Sequence, residues 1–252
     1  MQFLSNEKIE NLVSRSLKNI FDQKPLPLYD MMSYHYGFHE DTLANQIRPH
    51  QGTLLLVGVD SFGGEVDSAL PAALAIELIN GFCQVHDDVE SGRPSSQGRD
   101  SLWWVWGPAQ AINAGDGLHA LARITVLGLI DKGVSLEKTY RAVSLLDEAC
   151  LKACEGRFRD LEIQERPEVS IEAYQKMASD RSGAILGGAL SIAGLLSGFD
   201  EQKVQRLVQC GEWLGEYFQI QGDLNQIWEV DTTDNVEFLN KKKLYPVVAA
   251  MS

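Results

Sequence analysis

The stretch Phe82-Cys83-Gln84-Val85-His86-Asp87-Asp88-Val89-Glu90-Ser91-Gly92 puts three carboxylates within four positions, just ahead of a glycine that can stop a helix. On a helix Cys83, Asp87, Glu90 and Ser91 share one face, with Gln84 and Asp88 beside it, so two or three carboxylates can point into one cavity. Acids at a helix C-terminus oppose the macrodipole and repel one another, by a few tenths to about one kcal/mol per exposed pair. A cation relieves both costs. Mg2+ suits the site best, because it takes one or two carboxylates and completes its shell with water and phosphate oxygens of a substrate. The competing reading is a solvated helix end that is simply acidic. A second acidic point is Asp223, in Phe218-Gln219-Ile220-Gln221-Gly222-Asp223-Leu224-Asn225-Gln226. Gln219, Asp223 and Gln226 share a face opposite Leu207, Leu214 and Phe218, and a lone aspartate among amides is more often a hydrogen-bonded residue at the core edge than a ligand.

The elements that must position these groups are helices. From Ser68 to Glu90 the apolar residues Leu70, Leu74, Leu78, Phe82 and Val85 recur at three- and four-residue steps, which makes one buried stripe about six turns long. Gln110 to Ile130, Ser135 to Arg159, Ile171 to Leu196 and Glu201 to Trp228 read the same way, and the N-terminus mixes charged and apolar residues at helical spacing. Gly63-Gly64, Gly92-Arg93-Pro94, Gly133, Glu165-Arg166-Pro167 and Gly198 separate the runs. Strand-like alternation is nearly absent, so the fold class is all-α, a helical bundle in a single domain over residues 1–252.

Composition narrows the partners. With 44% hydrophobic and 23% charged residues the chain has an ordinary globular balance. A formal net charge of -13, relieved locally only at Lys241 to Lys243, argues against nucleic acid and anionic membrane surfaces. An anionic small substrate would need metal ions or placed cations to bind here. Cys83, Cys150, Cys154 and Cys210 follow no zinc or disulfide spacing, which fits a cytoplasmic protein. No apolar run reaches about 18 residues, so no transmembrane segment is expected.

Together these segments resemble the polyprenyl synthetase family, the trans-isoprenyl diphosphate synthases. The resemblance is carried by Ala69 to Ile79, then His86-Asp87-Asp88-Val89-Glu90, then Trp106-Gly107-Pro108-Ala109-Gln110-Ala111-Ile112-Asn113-Ala114-Gly115-Asp116, in the family's order and spacing. It implies an isoprenoid synthase-type bundle around a central cavity. Two aspartate-rich motifs there hold Mg2+, which draws the diphosphate off an allylic isoprenyl diphosphate so that isopentenyl diphosphate can attack the cation. Asp87, Asp88, Glu90 and Asp223 stand as metal ligands, and Asp87, Asp88 and Asp223 carry catalysis. Arg48, Arg99, Arg181, Lys242 and Lys243 stand as diphosphate contacts. Phe82 and Cys83 stand at the floor that limits chain length, with core packing the alternative for Phe82. Trp103, Trp104 and Trp106 are read as packing.

The sequence also departs from the family's pattern. Ser91 and Arg93 replace later aspartates of the first motif, and Ser96 and Gln97 replace its paired arginines. Gly222 and Gln226 replace acidic positions of the second motif. Ala44-Asn45-Gln46-Ile47-Arg48-Pro49 loses cations of the isopentenyl diphosphate segment, and Asn80 stands for a histidine. The expected function is a divergent Mg-dependent prenyltransferase of isoprenoid biosynthesis with a weakened acceptor site. The alternatives are a class I terpene cyclase or lyase, and a non-catalytic subunit of a heteromeric synthase. The partner would be a second copy or a homologue. An apolar segment, Leu244 to Met251, begins just before the end, from which the family's C-terminal helices are expected to be absent.

Overall fold

The protein, a computed structural model, is described over residues 5–39, 48–96, 98–228 and 242–251. Along the described chain run α1 (Asn6–Asp22), α2 (Pro27–His35), α3 (His50–Ser61), α4 (Val66–Ser91), α5 (Leu102–Trp106), α6 (Pro108–Leu127) and α7 (Leu136–Gln164). After them come α8 (Ile171–Ala178), α9 (Ala184–Leu196), α10 (Glu201–Trp228) and α11 (Tyr245–Met251). A two-residue antiparallel pair, β1 (Ser95–Ser96) and β2 (Arg99–Asp100), is the one sheet among the described residues. The all-α bundle expected from periodicity is the fold.

Burial follows the periodicity. In α1 the four-residue stripe Ile9, Val13, Leu17 and Phe21 is buried, and in α9 nearly every residue is, as suits an apolar helix between neighbours. Helix α4 is the axis of the main core and packs against α3, α6, α7 and α9. It is long and apolar enough to cross a membrane by length and composition, but two thirds of its apolar window lies buried inside the protein. It ends where Gly92 takes φ +62° and its N–H turns back to the Asp88 and Val89 carbonyls, a left-handed cap that a side chain would strain.

One element differs from expectation. The run read as a single helix from Ile171 to Leu196 is interrupted by a π-turn, Ser179–Gly183. The extra residue turns Asp180 into the interior, where it accepts from Arg159 (2.7 Å) and Lys176 (2.8 Å), and aims Arg181 at α4. Helix α7 meets this turn backbone to backbone: a Cβ on Gly156 would stand 2.2 Å from the Arg181 nitrogen. Gly211 and Gly215 of α10 similarly let that helix lie on α9 and the turn. A smaller core of Ile163, Tyr174, Met177, Ala178 and Val248 joins α7, α8 and α11.

Candidate functional site

The acidic end of α4 opens on a cavity of about 460 Å³ lined by α4, α7, the π-turn, α9 and α10. Asp87, Glu90 and Cys83 reach it from α4, Arg157 and Cys154 from α7, Arg181 from the π-turn and Gln219 from α10. Ala153, Phe158, Leu161 and Ile185 give it an apolar side. The geometry at the polar end is an ion-pair network. Arg181 Nη2 donates to both Asp87 oxygens at 3.0 Å, Arg157 Nη1 lies 3.0 Å from Asp87 Oδ1, and Arg93 pairs with the same carboxylate. Arg157 also donates through Nε to Glu90 (2.6 Å), through Nη1 to Asp160 (2.6 Å) and through Nη2 to Ser91 (3.0 Å). Asp160 is fully buried and also holds Arg181 at 3.1 Å.

These charges set the acidity. Burial alone would raise the Asp87 carboxyl, but Arg181, Arg157 and Arg93 more than reverse this and hold it below the ordinary value. Asp88 is one position on and faces another way. Burial raises it to about 6, against the pull of Arg93, with the Asp87 charge adding to the rise. It lines a small pocket with Tyr34, His35, Ser96 and Arg99, away from the main cavity. Burial also pushes the Cys83 thiol up, so it stands in the wall as an uncharged group.

The structure therefore brings together only part of the predicted set. Asp87, Glu90, Cys83 and Arg181 share the main cavity. Lys242 lines an adjoining cavity of about 350 Å³, whose wall of Glu90, Arg157, Leu161 and Arg181 is common to both; Lys243 is the next residue in the chain. Asp223 lies elsewhere. It is 1% exposed in the smaller core, where the Tyr174 hydroxyl (2.5 Å), the Tyr245 N–H (2.9 Å) and the Gln219 amide (2.9 Å) donate to it. Phe82 does not line the cavity but meets the His86 and His119 rings at tilted angles, toward α6. Arg99 donates to the His35 carbonyl (2.8 Å), and Arg48 lies 3.7 Å from Glu10 of α1 with an exposed side chain. Residues 44–47, Gln97 and Lys241 lie outside the described residues.

Two of the guanidiniums escaped the sequence reading. Arg157 sits among the many charges of α7, and its signal is the local pattern Gly156-Arg157…Asp160: a helical glycine for close approach, then an i,i+3 ion pair. Arg93 registered only as a lost aspartate, whereas its peptide is fixed by Ser101 Oγ (2.6 Å) and Trp103 Nε1 (2.7 Å) on its carbonyl. Trp103 thus packs and anchors, while Trp106 meets Tyr34 edge to face.

Among the described residues no three acidic, histidine or cysteine side chains converge on one point as a ready metal cage. Asp87 and Glu90 nevertheless present oxygen donors to one cavity, the donor number and type that Mg2+ takes when water and phosphate complete its shell.

A helical bundle holding an acid-and-arginine cavity of this kind places the chain in the isoprenoid synthase class of folds. A polyprenyl synthetase of Streptomyces coelicolor superposes with a TM-score of 0.85 at 31% identity, covering 97% of this chain and 73% of that one. A geranylgeranyl pyrophosphate synthetase of Geoglobus acetivorans gives 0.84 at 28% identity, over 97% and 75%. The polyprenyl synthetase model matches residues 44–249, and the chain belongs to that family. It is 33% identical over 234 residues to a geranylgeranyl diphosphate synthase of Mycobacterium tuberculosis, which is 90% of this chain and 66% of that enzyme. The chain spans about two thirds or less of the length of the curated relatives it matches first.

Proposed function

We propose that this chain is a prenyltransferase of isoprenoid metabolism that acts on an allylic isoprenyl diphosphate. The observation that carries the reading is the polarity of the main cavity: Asp87, Glu90, Arg157 and Arg181 at one end, Ala153, Leu161 and Ile185 along the side. Such a cavity suits a ligand with a charged head and a hydrocarbon tail. Asp87 and Glu90 would hold Mg2+, which when bound neutralises charge on a departing diphosphate. Arg181 and Arg157 would bind the diphosphate oxygens by charge-assisted hydrogen bonds. The apolar side would keep water from the allylic cation. The activities for which the relatives are named, geranylgeranyl diphosphate synthesis among them, support this class of substrate.

A second reading, a class I lyase or cyclase that needs no isopentenyl diphosphate, is favoured by Arg48, which is turned to Glu10 at the surface. A pairing with a second copy or a homologue is supported by Ile124 and Leu127, both exposed on α6, and the cytoplasm is the compartment that suits free thiols. The test is incubation with Mg2+ and geranyl, farnesyl or geranylgeranyl diphosphate, with and without isopentenyl diphosphate. A longer diphosphate is the expected product. Hydrocarbon or alcohol formed without isopentenyl diphosphate would establish the second reading, and no pyrophosphate release under any condition would overturn both.

A further inference from the structure

We infer that Arg157 is a built-in counter-cation of this cavity, a residue that competes with metal for Asp87 and Glu90 and turns to the diphosphate once metal has displaced it. Its second half rests on the function proposed above. The geometry is specific. Arg157 is largely buried, bridges both carboxylates that could take a metal, and is itself anchored from behind by Asp160. It also stands in the wall shared by the two cavities, so its displacement from Asp87 and Glu90 leaves its guanidinium beside the Lys242 side of the same site.

The energetics follow from what each cation gives up. A guanidinium is weakly hydrated and matches carboxylates through a fixed fork, whereas Mg2+ sheds water reluctantly and binds carboxylates best when phosphate completes its shell. Three carboxylates at this end, Asp87, Glu90 and Asp160, are met by three guanidiniums, Arg93, Arg157 and Arg181. Metal alone must break the Arg157 pairs, and a diphosphate alone must take arginines already committed to carboxylates. When both arrive, metal takes the carboxylates and the arginine takes the phosphate. The two ligands therefore bind with positive coupling, and each strengthens the other by the same factor.

Titration calorimetry on the full chain tests this with Mg2+ alone, inorganic pyrophosphate alone, and pyrophosphate in saturating Mg2+. For the parent, weak binding of either alone and tight binding of both is expected. Arg157→Gln should bind Mg2+ alone about tenfold or more tighter, because its carboxylates are released, and should bind pyrophosphate in Mg2+ about tenfold or more weaker. Arg157→Lys, which keeps the charge but loses the fork, should fall between on both measurements, and it serves if the glutamine variant does not fold. Unchanged Mg2+ affinity in the folded variants would overturn the counter-cation role. Failure of the parent to bind pyrophosphate even in saturating Mg2+ would overturn the diphosphate role and the proposed substrate class, while the Mg2+ arm alone still decides the competition.

Discussion

Two regions hold acids in opposite ways. At the mouth of the cavity Asp87 is met by three guanidiniums, and its carboxyl is held below the ordinary value although burial pushes it up. In the interior, Glu77 of α4 and Asp223 of α10 are fully buried but receive mainly neutral donors. For Glu77 these are the Gly52 N–H at 2.8 Å and the Asn80 amide at 3.5 Å, and for Asp223 two side chains and one peptide. Burial accordingly wins at Glu77 and raises it to about 7. Acids that look alike in sequence thus divide into ion-paired carboxylates at a cavity and acceptors of mainly neutral donors that join helices.

The largest effect should fall on the cavity side. Asp87→Asn is expected to lower pyrophosphate release by roughly a thousandfold, while Asp88→Asn and Asp223→Asn stay within about tenfold in steady-state assays. A loss of equal size at Asp223 would erase the division. Next is Glu77. Its folded-state value lies above its unfolded one, so it contributes stability in full below about pH 4.5 and loses it as pH rises toward about 7, up to about 3 kcal/mol. Urea unfolding at several pH values should show this decline in the parent, reinforced by Asp88, which is also raised, and a much flatter profile in Glu77→Gln. Asp87 works with the other sign, its contribution being lost as pH falls below the carboxylate range. Tyr174→Phe, which removes one donor to Asp223, should cost about 1–2 kcal/mol in thermal unfolding with little change in Mg2+ binding. Smallest is Arg141→Ala. It breaks pairs with Glu148 and Glu201 at the surface and should cost under about 1 kcal/mol, with salt removing part of that.

Much of this was legible in the chain. Five helices announce themselves by apolar spacing, and Gly92, Gly133 and Gly198 all take the positive φ that a turn glycine permits. Face arithmetic put Asp87, Glu90 and Cys83 together, and they line one cavity. The same arithmetic could not turn Asp88, which differs by one position and faces Arg99 instead. Nor could it show the π-turn, because Ser179-Asp180-Arg181-Ser182-Gly183 is polar or small throughout and carries no apolar spacing for an extra residue to shift. That turn decides where Arg181 points. Arg157 stayed hidden because one arginine on a long charged helix looks like a solvated one until the opposite helix is in place.

The network at the cavity mouth also bears on how the chain is made. Arg181 and Asp87 are 94 residues apart, and Arg157 lies 67 beyond Glu90. At about 5–20 residues per second of synthesis, the acids of α4 would leave the ribosome roughly 5–20 s before the arginine that completes their charge balance. During that interval a nascent chain offers carboxylates with part of their counter-charge still to come, so ions in the surrounding fluid are their interim company. The cavity mouth is therefore completed only once Arg181 has been made.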